Sequence, residues 1–266
     1  MNTAVLAISN LQLAVGLIFI ILAGILSLVH SLGLEKDLLV GTVRTFVQLF
    51  LLGFALKFVF SIDRVWLVVL VFVLMILFAA WTIKGRVRER EVSFFWPVFL
   101  SMCAGYFFIA FMVTGVIVNA EPWWRPQYFI PLSGMVIGNS MNAMAISLER
   151  LLGDLRGRRG EVEMQLCLGA DYREASQVIF RDAMRAGMIP SINSMMAVGV
   201  VFIPGMMTGQ ILAGADPVSA IRYQIVVMVM LVGSTALGSF LVLSLVRRRC
   251  FGPAQQLLLK QTKRAD

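Results

Sequence analysis

Long apolar runs alternate with short charged stretches along the whole chain, and the runs are as long as a bilayer is thick. Each run of about 20 residues can cross some 30 Å of hydrocarbon as a helix, satisfying its own backbone groups. The pattern predicts seven such spans, at about residues 10–30, 38–60, 65–83, 94–118, 128–151, 188–213 and 221–246. Residues 153–190 break the rhythm, being too charged to cross and too regular for a loop. Within them Asp171 and Glu174 have the spacing of a capping box. Met164, Leu168, Ala175, Val178 and Ile179 recur at helical spacing, while Arg156, Arg158, Arg159, Arg173, Arg181 and Arg185 fill the other side. This predicts a pair of short amphipathic helices at a membrane surface, lying on lipid or docked with a soluble partner.

Basic residues orient the spans. With residues 153–190 cytoplasmic, the same side holds their arginines, Lys36, the cluster Lys84, Arg86, Arg88 and Arg90, then Arg247 to Arg249, and Lys260, Lys263 and Arg264. The opposite side holds only Arg64, Arg125 and Arg222. The expectation is an N-terminus outside and a C-terminus inside. Trp123 and Trp124, in the outer loop, suit the interfacial belt. The loop carrying Asp216 and Arg222 reads as a solvated turn.

Composition narrows the class. The chain of 266 residues is 59% hydrophobic, more than a soluble core of this size can hide. It reads as one all-α integral membrane domain over residues 1–266, with a charged cytoplasmic segment at about 153–187 between the fifth and sixth spans. The first ten residues hold no Lys or Arg, so they lack the basic start of a signal peptide and the first span is expected to be retained. The net charge of +8 sits in loops and calls for no nucleic acid. Cys103, Cys167 and Cys250 have no metal or redox spacing, and His30 stands alone at a helix end. No HExxH, GxSxG or GxxxxGK[ST] motif is present, so no catalytic set or nucleotide loop is read, and any ATP must bind another chain.

Polar residues inside spans mark helix contacts or a solute path. Arg44 and Gln48 share one face of the second span. The fifth span carries Ser133, Asn139, Ser140 and Asn142, with Gly134 and Gly138 spaced as GxxxG. Asn139 and Asn142 either bond across a helix interface or line a route for a polar solute. The sixth span holds Pro204–Gly205 within an apolar run, and proline there predicts a kink or unwound turn. Beyond it Met206, Met207 and Gln210 could briefly hold a soft or borderline metal beside freed carbonyls, or simply pack. No site is assigned to a resident metal or cofactor.

Three stretches carry a resemblance: PLSGMVIGNSMNA in the fifth span, SMMAVGVVFIPGMMTGQILAGADPVSAIRYQI across the sixth into the seventh, and RTFVQLFLLGFAL in the second. They resemble the iron-export ABC transporter permease family, the Fet-type membrane subunit related to plant aluminium-tolerance permeases, over nearly the whole chain. The resemblance implies a permease of about seven spans in a bacterial inner membrane. It implies a complex of two permeases with two separate ATPase subunits, exporting iron or a related metal. It also implies that residues 153–187 are a cytoplasmic coupling segment, with a coupling helix that docks with the ATPase. Glu163 and Gly169 keep the interval of an importer-type coupling loop, although Met164 and Gln165 replace its alanines. Ala170, Arg173 and Glu174 complete the expected coupling set.

Other readings differ in what drives transport or in cargo. An ion-gradient transporter calls for carboxylates within the spans, and only Glu149 is a candidate. An ABC permease for another polar solute, such as a nucleotide sugar, keeps the architecture. A retinal protein needs a lysine in the last span, and 221–246 has none.

Overall fold

The structure, a computed structural model, describes residues 9–62, 64–87 and 92–259. Residues 1–8, most of the stretch read for a signal peptide, lie outside the described residues, as do Arg88, Arg90, Lys260, Lys263 and Arg264. The described chain is helical: α1 Asn10–Gly16, α2 Ile18–Val29, α3 Glu35–Ile62, α4 Val65–Val87, α5 Phe95–Phe111, α6 Pro126–Gly157, α7 Arg159–Cys167, α8 Tyr172–Ala175, α9 Gln177–Ala197, α10 Gly205–Leu212 and α11 Pro217–Arg249. A π-helical stretch, Met112–Ile117, prolongs α5. The only β pairing, among the described residues, is two isolated bridges.

α6 is the central post, packed against α4, α5, α9 and α11. The reason is its stripe: Phe129, Leu132, Val136, Met144, Leu148, Leu151 and Leu155 recur every three, four or eight residues and are all buried. Lipid gives apolar side chains no reason to leave it, so helices here meet through small residues and close packing. A Cβ on Gly187 of α9 would strike Ser147 and come 2.8 Å from the Ala143 carbonyl of α6. A Cβ on Gly238 of α11 would lie 2.5 Å from the Tyr106 hydroxyl and 2.6 Å from Met144 Cε. The expected GxxxG pair of α6 contributes less. Gly134 faces Met75 at 3.2 Å, and Gly138 faces open space.

The N-terminal helices stand at the periphery. Ser27 and Val59 are the buried residues of α1 to α3. Ser27 closes the hairpin, donating to Glu35 at 2.7 Å and accepting from the Leu34 N–H at 3.0 Å.

Among the described residues six helices or helix pairs are long and apolar enough to cross a membrane. They match six of the expected spans. The segment expected as the sixth, about 188–213, is divided. α9 runs unbroken from Gln177 through Pro190 to Ala197, a turn follows, and α10 begins at Gly205. Unwinding therefore starts before Pro204. Gly199 takes φ +83°, and Pro204 is the extended N-cap of α10 rather than a kink inside a helix. A proline without an N–H fits that cap, where no helical donor is needed.

Candidate functional site

A polar layer crosses the bundle halfway along α6. The Asn139 amide donates to Ser191 of α9 at 3.2 Å and to Thr235 of α11 at 3.4 Å. Ser191 and Thr235 bond each other at 3.3 Å, and Ser140 donates to Ser234 at 3.2 Å. Three helices are tied at one depth by neutral groups. Serine and threonine can sit there because each small side chain finds a partner within the protein.

Beyond this layer, toward the α10 end of the bundle, the broken crossing opens two cavities. One, of about 340 Å³, runs from Asn139 and Ser191 to Pro204, Gly205 and Met206. The other, of about 400 Å³, lies on the far side of the turn against Met195, Met207 and Ile225. Gln224 and Met228 line both. Gln224 is buried, and its Oε1 has no hydrogen-bond partner in the protein. No Asp, Glu, His or Cys lines either cavity. Thioethers, one amide acceptor and backbone at a helix break can hold a weakly solvated cation or a polar neutral group for a short time.

Asn139, Met206, Met207, Pro204 and Gly205 are thus brought to one region. The other expected path residues are not. Asn142 accepts from Arg86 at 3.3 Å on the α4 side, where Arg86 also pairs with Glu149 at 3.5 Å. Gln210 lies outside both linings, its Oε1 buried without a partner. Arg44 and Gln48 line a separate groove on the exposed face of α3. Ser191, Thr235 and Gln224 were not expected.

At the opposite end the expected pair of short helices is only half found: α7 is short, but after the four-residue α8 the stretch with Val178, Ile179, Arg181 and Arg185 is the start of α9, which runs on into the bundle. Asp171 and Glu174 make both bonds of the capping box, at 2.7 and 3.0 Å. Gly169 has φ +97°, its N–H bonds the Leu166 carbonyl, and the Ala170 N–H bonds that of Gln165. That is a Schellman ending, which needs a left-handed residue just past the helix and so explains the glycine. Glu163 pairs with Arg159 at 2.6 Å, and Arg173 donates to the Tyr172 hydroxyl at 3.0 Å. That hydroxyl raises the Arg173 guanidinium above its ordinary value, and the Glu161 carboxylate does the same for Arg158.

The expected apolar face splits in two. Ala175 and Ile179 are buried against the bundle, whereas Met164, Leu168 and Val178 point outward, Leu168 with 80% of its surface exposed. The C-terminal segment holds this module from behind. The Tyr172 N–H donates to Gln255 at 2.9 Å, Arg159 donates to the Leu259 carbonyl at 2.6 Å, and Tyr172 packs on Phe251 at 5.6 Å. Arg247 of α11 lies 4.2 Å from the Phe180 ring of α9 and donates to Gln177 at 3.3 Å.

The family described as Uncharacterised protein family (UPF0014) matches residues 10–251. The "UPF0014 membrane protein slr1647" of Synechocystis sp. is 39% identical over 86% of this chain and 89% of its own. "Probable iron export permease protein FetB" of Escherichia coli is 33% identical over 97% and 98%. "Protein ALUMINUM SENSITIVE 3" of Arabidopsis thaliana is 34% identical over 85% and 81%. No solved structure matches the chain.

Proposed function

The chain belongs to the uncharacterised protein family UPF0014, and from that premise we propose that it is the membrane-spanning permease subunit of an ATP-binding cassette exporter of iron or a related metal. ATP is bound and hydrolysed on a separate subunit. Two permeases and two ATPases make the working complex, in a bacterial inner membrane with the N-terminus outside and the C-terminus cytoplasmic.

One observation carries the reading: an exposed apolar ridge, Met164, Leu168 and Val178, on a module tied to the ends of α9 and α11. A ridge of that kind seats in a groove of a soluble partner, and flanking arginines set its register. Movement of the partner would be passed to α9, and so to the broken crossing that borders the cavities. The relative named as an iron export permease supports the cargo class. The neutral linings favour a second cargo reading, a polar uncharged solute held at Gln224 and Asn139.

The test is reconstitution. The purified chain hydrolyses no ATP alone and moves cargo only with its ATPase. Transport at full rate by this chain by itself in liposomes overturns the proposal. Cell iron, manganese and zinc, measured with and without the gene under metal stress, separate the two cargo readings.

A further inference from the structure

The groove that holds Arg44 is built by α3 alone, from Leu39, Val40, Val43, Arg44, Val47 and Gln48. α3 joins the hydrophobic core through Leu56 and Val59, near its other end. Around Arg44 the apolar side chains Val40, Val43, Val47 and Leu51 are exposed. Arg44 and Gln48 are exposed too, and among the described residues neither has a hydrogen bond or an ion pair. Helix length fixes what surrounds them. About 20 helical residues cross the hydrocarbon. α3 runs from Glu35 to Ile62, 28 residues. The first stretch of about 20 within it is 35–54 and the last is 43–62, and both contain Arg44 and Gln48. An uncompensated guanidinium there is costly, so it reaches for the interface or takes an anion. Helical side chains lean toward the N-terminus. Arg44 is nine residues from Glu35 and 18 from Ile62, so its head leans toward the nearer membrane face, where lipid phosphates lie.

We propose that Arg44 and Gln48 form the headgroup site of one anionic phospholipid. The planar fork of the guanidinium matches two phosphate oxygens. Gln48, one turn deeper, donates its amide to an ester carbonyl, which in a phospholipid lies inward of the phosphate. Val47 and Leu51 then bed an acyl chain. Protein does not supply the anion. Glu149 and Asp154 of α6 already face Arg86 and Arg150, and Glu35 accepts from Ser27. Asp37, seven residues before Arg44 on nearly the same face, makes no ion pair with it. The site goes beyond the permease reading and asks only that α3 cross a bilayer.

The test is lipid binding by the purified full chain. Native mass spectrometry with added dioleoyl phosphatidylglycerol or dioleoyl phosphatidylcholine counts the lipids that each chain retains. The wild-type chain is expected to hold one phosphatidylglycerol at least tenfold more tightly than phosphatidylcholine. Arg44→Gln should lose that lipid, and Lys57→Gln, toward the other end of α3, should keep it. Equal affinity for the two lipids overturns the proposal, as does a tight phosphatidylglycerol kept by Arg44→Gln or lost from Lys57→Gln. A second measurement leaves Arg44 in place. Bimane is attached to Val40→Cys in a Cys103→Ser, Cys167→Ser background, which removes the thiols that are not buried. In phosphatidylcholine vesicles, spin-labelled phosphatidylglycerol should quench it at least threefold more than spin-labelled phosphatidylcholine. The same label on Phe54→Cys, exposed further along α3, should distinguish the two lipids less than twofold. Equal quenching at Val40→Cys overturns the proposal. A label there shielded from both lipids shows that protein covers the groove, and overturns it as well.

Discussion

The Tyr172 N–H, first in α8, is capped by the side chain of Gln255, 83 residues away, at 2.9 Å. The same tyrosine packs its ring on Phe251, which is buried. The C-terminal segment is thereby part of the surface module. Phe251→Ala removes the ring contact and should lower stability by about 3–5 kcal/mol, the range for truncating a buried aromatic. Limited proteolysis near residues 168–176 should accelerate in step. An unchanged cleavage rate would show that the clasp does not hold the module.

Gly169 fills a left-handed position that an arginine adopts at a cost of about 1–2 kcal/mol. Gly169→Arg is expected to insert normally, because the spans are untouched, and to lose ATP-driven transport. Both are read in one preparation, by membrane extraction and by flux with the ATPase present.

Gly187→Ala tests the contact between α6 and α9. Alanine gains about 1 kcal/mol in helix propensity, but its methyl must displace Ser147 and the Ala143 carbonyl. Backbone does not yield cheaply, so a net loss of about 1–3 kcal/mol is expected. Thermal unfolding in detergent gives the sign directly.

Gln224→Leu should separate stability from function. The buried Oε1 has no partner, so an apolar side chain of similar size leaves stability unchanged or raised. Transport should fall at least tenfold because the one amide shared by both cavities is gone. A variant with full flux would remove Gln224 from the path.

Legibility in the sequence followed range. The capping box at Asp171 and Glu174 spans three residues, and the helical spacing of α6 is local, so both could be read from the chain. Ser191 and Thr235 could not, since their partners lie 44 to 96 residues away. A signal existed: Ser234, Thr235, Gly238 and Ser239 crowd small polar groups into the last span, where lipid-facing residues would be larger. Pro204 announced a break but not its start, which depends on the φ of Gly199. Arg44 and Gln48 share a helix face as expected, yet nothing in that spacing says which way the face turns.

Arg247 sits against Phe180 while donating to Gln177, so α9 and α11 are riveted together at the ends that meet the surface module. α10 packs against α11, and none of its residues is fully buried. Under the permease proposal a push on the module would turn that pair as one lever, and the motion would bend at residues 198–203, the irregular stretch between α9 and the Pro204 cap of α10.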